Sequence, residues 1–515
     1  MDFKINIMET KENKKLPSII ITGASGFIGR NLLEAIRDNY KIYAIARRSR
    51  NEAGIPFHKN ILWMQCDIGN SLAVEEVKNK ILDEGGVDYC LHLAAYYDFR
   101  YGDNPEYHRT NVVGTDNILK MARSLELKRF IFVSSLAACN FPEENSAVNE
   151  KTPPDANFAY AKSKKLGEEM VKEYSERFPC LIVRLAAVYS DWCEYPPLYK
   201  FLSTWLAGNW DSRFLAGRGE SAVTYIHIND LCKLFKTILS KTNELPQFDT
   251  YNASPDDSTS HRELFRISTN YFFGNFIKPF YIPKIFTYPG LIVKNLLNKI
   301  LQPGNIPFET FWMIKYIDLK LDANSLYTRK ALVWEPVARY NIQRRLLFLI
   351  EKMKSHPDEW KLRNEAALKR VINRPNLIIY ENMIEEKENI LSQVSEYILS
   401  PENKIAYSGY NTMKRDDFEY YLSNLYEFLL AVVRSGDRSL IIKYIGEIAL
   451  KRFEKGFKPD EICNLFTTCD DIILTVLISK KQLQNLRQAI NDYVTLSIQI
   501  TKDEIEDLYD SIEQK

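Results

Sequence analysis

Short apolar runs and amphipathic segments alternate along the N-terminal part of the chain. The β-branched run at 19–21 predicts a buried strand, and segment 31–38 has the three- and four-residue apolar spacing of a helix. Further apolar runs predict strands at 41–46, 61–66 and 130–135. Strands that alternate with helices in this way indicate an α/β fold with a doubly wound parallel sheet.

A glycine-rich turn separates the first predicted strand from this helix. Gly23 allows a tight turn, Gly26 lets the backbone approach a phosphate, and Gly29 lets the helix pack closely on the strand. The helix N-terminus offers N–H groups and the positive end of a dipole to the same phosphate. The pattern predicts a dinucleotide site, to which we assign Gly23, Ser25, Gly26, Phe27, Ile28 and Gly29.

Two arginines, Arg47 and Arg48, follow the second predicted strand, where an NAD enzyme usually carries a carboxylate for the ribose hydroxyls. Guanidinium groups suit a 2′-phosphate, so NADP(H) is the favoured cofactor and NAD(H) stays open as the alternative. A further predicted strand, the fourth along the chain, ends at 92–95, and His92 there is expected to be structural. The ends of the third and fourth strands supply the remaining expected cofactor contacts, which are Asp67, Ile68, Leu93, Ala94, Ala95 and, further along the chain, Lys164.

Tyr160 and Lys164 lie four residues apart, on one face of a predicted helix. A tyrosine with a pKa of about 10 is a poor base near neutrality. The Lys164 ammonium and a positively charged nicotinamide should lower this pKa, so that Tyr160 can exchange a proton with a substrate oxygen during hydride transfer. Ser135 could hold the same oxygen, with Ser134 structural, and Asn111 could orient Lys164 or a water.

The glycine turn, the serine strand end and the Tyr–Lys pair, in this order, resemble the extended short-chain dehydrogenase/reductases, the NAD-dependent epimerase/dehydratase type. The resemblance covers roughly residues 16–360, and its motifs lie at 22–29, 92–95, 111–115, 134–135, 160–164, 183–185, 225–230 and 332–336. It implies a Rossmann fold with Ser135, Tyr160 and Lys164 as the catalytic triad. It also implies Asn111 as a fourth catalytic residue.

Two departures from the family pattern concern the substrate. Sugar-nucleotide dehydratases carry an Asp-Glu pair after the serine, where this chain has Leu136-Ala137-Ala138. Many nucleotide-sugar epimerases carry a phosphate-binding arginine where this chain has Val223-Thr224, although Arg213 or Arg218 could replace it. The favoured interpretation is an oxidoreductase acting on an alcohol/carbonyl pair of an apolar small molecule. A nucleotide-sugar epimerase with tightly bound cofactor, and an NADP(H)-sensing scaffold with a regulatory bundle, are the alternatives.

Segment 189–199 is dense in aromatic residues and proline and follows a predicted strand, where open α/β sheets bind ligands. We expect Trp192, Tyr195 and Tyr199 to form apolar walls of the substrate pocket. Segment 276–301 mixes apolar residues with four lysines. It predicts a lid or core helix of the substrate lobe, and an interfacial helix over a lipid-like substrate is the alternative.

After residue 376 the sequence becomes helical to its end. Leu422, Leu425 and Leu429 recur at three- and four-residue steps, which is typical of a bundle helix. The all-α bundle weakly resembles helical regulatory domains of the RsbR/RsbU and PucR types. Its boundary at 373–376 predicts that the preceding core folds and binds cofactor without it. The predicted parts are a flexible N-terminus, a Rossmann domain, a substrate lobe with returning sheet elements and the bundle, at 1–15, 16–188, 189–360 and 377–515.

The composition excludes several classes of function. A net charge of +1 gives no field that would attract nucleic acid, and no motif for nucleic-acid binding or for a metal site is found. Eight scattered cysteines without a Cys-x-x-Cys pair indicate a reduced, cytoplasmic setting. Segment 1–15 is polar and charged, and no uninterrupted apolar stretch of about 18 residues is found, so we expect neither a signal peptide nor a membrane span. Peripheral membrane contact stays open, and we expect a homodimer.

Overall fold

The computed structural model describes residues 16–98, 104–209, 212–301, 311–372, 375–435 and 438–513. The N-terminus at 1–15, which the sequence predicts to be flexible, lies outside the described residues.

The described residues form these strands: β1 (Ser18–Thr22), β2 (Lys41–Ala46), β3 (Ile61–Gln65), β4 (Tyr89–His92), β5 (Arg129–Ser135), β6 (Cys180–Leu185), β7 (Ala187–Tyr189), β8 (Phe214–Ala216), β9 (Ala222–Val223), β10 (Tyr225–His227), β11 (Phe248–Ala253), β12 (Thr259–Ser260), β13 (Phe280–Ile282) and β14 (Lys320–Leu321).

The α-helices up to the end of the substrate lobe are α1 (Phe27–Ile36), α2 (Arg50–Ala53), α3 (Ser71–Asp83), α4 (Gly114–Ser124), α5 (Ala159–Tyr174), α6 (Pro196–Trp205), α7 (Ile228–Ser240), α8 (His261–Phe273), α9 (Lys284–Leu301), α10 (Leu326–Leu332), α11 (Ile342–Ser355) and α12 (Pro357–Ile372). Those of the bundle are α13 (Pro375–Glu385), α14 (Lys387–Ile398), α15 (Ser408–Thr412), α16 (Arg415–Ser435), α17 (Ser439–Glu454), α18 (Pro459–Ser479), α19 (Arg487–Ile490) and α20 (Leu496–Glu513).

Seven strands form one parallel sheet in the order β11-β6-β5-β4-β1-β2-β3. Successive residues of each strand face opposite sides, and both sides are buried. Ile19 and Ile21 pack into one core, whereas Ile20 packs into the other. Burial on both faces explains why these strands are continuous apolar runs. The predicted doubly wound sheet is confirmed.

The order of strands reverses between β1 and β4. Open α/β sheets bind ligands outside the carboxyl ends of their strands at such a point. The glycine turn follows β1, and residues 93–95 follow β4, so both lie at this edge. The chain leaves the sheet after β6 and returns as β11, and the segment between contributes to the substrate lobe.

The C-terminal part is a helical bundle with its own apolar core, as predicted. The sequence pattern predicts the first bundle helix at 379–399 and the last at 480–513. The first divides at Glu386, and the last is interrupted between 480 and 495. Among the described residues, α18 is the one helix long and apolar enough to cross a membrane, which differs from the expectation of none. Half of its apolar window is buried, because its side chains, such as Leu465 and Phe466, pack inside the bundle.

Candidate active site

A cavity of about 1920 Å³ runs along the carboxyl edge of the sheet, from the glycine turn into the substrate lobe. It is lined by every residue predicted to contact the cofactor, namely Gly23, Ser25, Gly26, Phe27, Ile28, Gly29, Arg47, Arg48, Asp67, Ile68, Leu93, Ala94, Ala95 and Lys164. Ser135 and Tyr160 line the same cavity. The structure therefore brings the predicted nucleotide contacts and the predicted triad together.

The glycine turn is sterically constrained. Gly23 has φ +70°, and a Cβ atom there would lie 2.8 Å from the backbone nitrogen of Ala94. A Cβ atom on Gly29 would lie 2.5 Å from the carbonyl oxygen of Gly23. A Cβ atom at Gly23 would therefore collide with the loop after β4, and one at Gly29 would collide with the turn after β1. The glycines therefore fit the predicted use of the turn.

We call the part of the cavity around the glycine turn the nucleotide half, and the part in the substrate lobe the substrate half. Arg47 and Arg48 lie at the outer end of the nucleotide half. The Arg48 guanidinium donates to the Ser25 carbonyl oxygen at 2.9 Å and to the Ser25 hydroxyl at 3.2 Å. It thereby ties the end of β2 to the glycine turn. Arg47 lines the cavity beside it, and its carbonyl oxygen accepts from the Gln65 side chain at 2.8 Å.

Asp67 is almost completely buried, and its carboxylate is already engaged. Its Oδ1 accepts from the Gly69 N–H at 3.1 Å, and its Oδ2 accepts from Arg109 at 2.9 Å. Arg434 of the bundle donates to the same Oδ2 atom. The sequence did not reveal this partner, because 367 residues separate Asp67 from Arg434.

The histidine at the end of β4 is structural, as predicted. The ring of His92 forms hydrogen bonds with the Thr22 hydroxyl at 2.7 Å and the Thr115 hydroxyl at 3.0 Å. Burial, with a smaller contribution from the Lys164 charge, lowers the pKa of His92 to about 3. The ring is therefore neutral at physiological pH.

Tyr160 lies in the first turn of α5, one helical turn before Lys164. The Ser135 hydroxyl is hydrogen-bonded to the phenol, which favours the phenolate. Lys164 donates to the Val133 carbonyl oxygen at 2.8 Å, and its nitrogen lies 5.9 Å from the centre of the Tyr160 ring. Serine, phenol and ammonium therefore form one cluster at the ends of β5 and α5.

The pKa values of this cluster differ from the sequence expectation. Burial raises the pKa of Tyr160 to about 12, against the opposing effect of Ser135. Burial also lowers the pKa of Lys164 to about 8, and Glu168 opposes that shift. Desolvation thus outweighs the expected effect of the ammonium on the phenol.

Asn111 and Ser134 are held in buried hydrogen bonds around the cluster. Asn111 accepts from the Tyr96 N–H at 2.6 Å and donates to the Tyr96 carbonyl and the Ser163 hydroxyl. These bonds tie Asn111 to the end of the loop after β4 and to α5, and no hydrogen bond joins it to Lys164 among the described residues. Its predicted role in orienting a water stays a prediction. Ser134 donates to Glu168 at 2.6 Å, which agrees with the structural role predicted for it.

The structure places only one of the three predicted substrate residues at the cavity. Tyr195 lines the cavity, whereas Trp192 and Tyr199 do not. Cys193 and Glu194 have positive φ angles and turn the chain sharply, so that Trp192 packs against the cations of Lys352 and Arg363. Tyr199 lies on the face of α6 turned away from the cavity.

The larger part of the substrate half comes from residues that sequence reasoning did not single out, although Phe286 lies in segment 276–301, which was predicted to be a lid or core helix of the substrate lobe. Its aromatic walls include Phe201, Trp205, Phe214, Phe286, Trp312 and Tyr316. The positions of α6 that line the cavity, 196, 197, 200, 201, 204 and 205, recur in pairs every four residues, as one face of a helix does. The remaining walls come from distant segments, so no local pattern could have identified them. Arg213 and Arg218, the candidate phosphate ligands, are exposed and lie outside the cavity lining.

Comparisons with known proteins agree with this architecture. Residues 19–254 match the model of the NAD dependent epimerase/dehydratase family. A dTDP-D-glucose 4,6-dehydratase from Dictyostelium discoideum is 27% identical over 282 residues, which cover 50% of this chain and 62% of that protein. Sterol demethylase protein B from Methylococcus capsulatus is 27% identical over 190 residues, which cover 35% of this chain and 54% of that protein. The chain thus spans less than two thirds of the length of either relative.

The solved structure of a dTDP-glucose 4,6-dehydratase from Bacillus anthracis in complex with NAD shows the same fold. It is 20% identical, has a TM-score of 0.51, and covers 67% of this chain and 99% of that chain. Residues 19–254 of this protein are therefore similar to the NAD dependent epimerase/dehydratase family.

Proposed function

We propose that this protein is an oxidoreductase that interconverts an alcohol and a carbonyl group on an apolar small molecule, with NADP(H) as its cofactor. One observation carries the proposal: a continuous cavity joins the glycine turn and the Ser135–Tyr160–Lys164 cluster to a chamber with aromatic walls. A nucleotide in the first half and a substrate in the second would meet at the Tyr160 phenol.

Each side chain of the cluster has a separate role in the proposed reaction. When bound, the nicotinamide supplies or accepts the hydride. Ser135 and Tyr160 hold the substrate oxygen, and Tyr160 exchanges the proton with it. Lys164 holds the ribose and favours the phenolate once the site is occupied. Because burial raises the pKa of Tyr160 to about 12, the neutral phenol is ready to donate its proton in the direction of carbonyl reduction.

The preference for NADP(H) is supported by Arg47 and Arg48, which both line the nucleotide half. Replacing both by alanine should weaken NADPH binding by about 10–100-fold, since each would lose a charge-assisted contact with the 2′-phosphate. NADH binding should change only a few-fold. Fluorescence titration of both nucleotides measures the difference.

Arg50→Ala is the matched control, because Arg50 packs on the Phe57 ring and does not line the cavity. Equal losses of NADPH and NADH affinity in the double variant would contradict the 2′-phosphate assignment.

The apolar character of the substrate is supported by the aromatic chamber and by the surface beside it. Phe286 of α9 lines the cavity while remaining 61% exposed, and its neighbour Ile285 is 78% exposed. An apolar ligand could therefore contact the same helix outside and inside the cavity. One relative, Sterol demethylase protein B, is named for a sterol reaction.

A nucleotide-sugar epimerase with retained cofactor is the second candidate, since the other relative is named for a dTDP-sugar. Mass spectrometry of small molecules released from the purified, denatured protein separates the two candidates. Protein that is free of nucleotide and binds NADPH reversibly supports the oxidoreductase. Retained nicotinamide nucleotide, a co-purified nucleotide sugar and turnover without added NADP(H) would establish the epimerase instead.

A further inference from the structure

We propose that the C-terminal bundle is part of the nucleotide site. Ion pairs of Arg434 hold the bundle against the adenosine end of the cleft, so that the nucleotide dissociates only when the bundle moves away from the Rossmann domain. This rests on the proposed binding of a nicotinamide nucleotide. It differs from the expectation that the core is independent of the bundle.

Arg434 lies in the last turn of α16 and is completely buried. Its guanidinium forms ion pairs with Asp67, which follows β3, and with Glu106, which precedes α4. It also donates to the Thr110 hydroxyl at 2.9 Å. One bundle side chain therefore satisfies two buried carboxylates of the Rossmann domain.

The charges of this contact balance. Arg109 is the second guanidinium on Asp67, so two cations face the two carboxylates of Asp67 and Glu106. Tyr380 of α13 packs beside both guanidinium groups, 5.3 Å from Arg109 and 5.1 Å from Arg434. Removing one partner of such a buried set leaves an uncompensated charge, which strongly favours the docked position of the bundle.

The contact lies at the nucleotide cleft and not on a remote surface. Asp67, Thr110 and Arg434 all line the cavity that contains the glycine turn. Pro375, Asn376 and Tyr493 of the bundle line it too, and the Asn376 side chain donates to the Arg434 carbonyl oxygen at 2.6 Å.

The bundle also reaches the surroundings of the catalytic tyrosine. Leu377 of α13 packs in a buried cluster with Tyr96 and Tyr107, and the Tyr107 ring lies 6.3 Å from the ring of Tyr160. Docking of the bundle therefore supports both the adenosine end of the cleft and the wall beside Tyr160. A dinucleotide that fills this cleft would be enclosed between the two domains.

The test compares full-length wild-type protein with Arg434→Gln. The rate of NADPH dissociation is measured by stopped-flow fluorescence after displacement with excess NADP⁺. Limited proteolysis with proteinase K, a protease of broad specificity, is followed at the boundary between α12 and α13, with and without NADPH. We expect Arg434→Gln to speed dissociation by about 10-fold and to speed cleavage. Bound NADPH should slow cleavage of the wild type, because coupling between two sites is reciprocal.

Arg415→Gln is the matched control, since Arg415 lies in the first turn of the same helix, is exposed and pairs with Glu419. If Arg434→Gln fails to fold, the double variant Arg434→Met/Glu106→Gln replaces it. That variant keeps Asp67 paired with Arg109 and leaves no carboxylate of the set unpaired.

Unchanged dissociation and cleavage in the folded Arg434 variant would overturn the proposal and leave the proposed function intact. A wild type that binds neither NADPH nor NADH would overturn the proposed function, and the role of the bundle in nucleotide exchange with it.

Discussion

The two halves of the cleft are built in opposite ways. The nucleotide half consists of consecutive residues at strand ends, where glycine backbone and buried hydrogen bonds leave little freedom. The substrate half is assembled from α6, α9 and segments near 214 and 312–316, with mostly apolar walls. The motifs that resemble the family therefore lie mostly in the first half, where backbone geometry constrains the residue types. Under the proposed function, substrate choice depends on the second half, whose walls come from separate segments.

The largest effect is expected from removing the Tyr160 hydroxyl, which lies where the nucleotide half and the substrate half meet. Tyr160→Phe should reduce turnover by about 1000-fold, since the proton donor is lost. NADPH affinity should stay within a few-fold, because the glycine turn and the arginines are untouched. Steady-state kinetics and nucleotide titration of the same preparation measure both quantities. Retained activity would show that Tyr160 does not exchange the proton.

The burial of Lys164 gives a prediction about stability. Burial lowers its pKa from 10.5 to about 8 in the folded chain. Between about pH 8 and 10.5, Lys164 is therefore protonated in the unfolded chain and mostly neutral in the folded chain. The free energy of unfolding of the wild type, relative to Lys164→Met, should therefore rise by up to about 3 kcal/mol between about pH 8 and 10.5.

Urea unfolding of both proteins at about pH 7.5 and about pH 10 measures this difference, and titrations common to both proteins cancel. Parallel pH profiles of the two proteins would show that Lys164 is not desolvated as the structure has it.

In the substrate half, Phe201→Ala should raise the KM for an apolar carbonyl substrate by about 10-fold, because apolar contact is lost. NADPH affinity should not change. Tyr199→Ala is the matched control, since Tyr199 lies on the same helix outside the cavity lining. An equal effect of both variants on KM would contradict the assignment of the cavity face of α6.

Local sequence patterns were sufficient for residues whose chemistry depends on their neighbours in the chain. Gly23 and Gly29 are required by a turn of a few residues, and Tyr160 and Lys164 share a helix face by their spacing. The same reasoning suggested that Asn111 orients Lys164 or a water, but spacing alone did not show that its amide forms hydrogen bonds with Tyr96 and Ser163.

Where the chain turns irregularly, the type of a residue did not predict whether its side chain faces the cavity. Trp192, Tyr195 and Tyr199 looked equivalent as aromatic wall residues, but the left-handed turn at Cys193 and Glu194 leaves only Tyr195 at the cavity. The boundary at 373–376 suggested a separable bundle, whereas Arg434 joins the bundle to Asp67 and Glu106.

The sequence by itself determined the parallel sheet, the glycine turn, the Ser–Tyr–Lys order and the helical nature of the C-terminal part. Each of these depends on periodicity, local backbone geometry or spacing within one element. Only the tertiary structure decided which aromatic residues enclose the substrate half, how burial shifts the pKa values of Tyr160 and Lys164, and where the bundle docks. These properties depend on contacts between segments far apart in the chain, which local patterns do not encode.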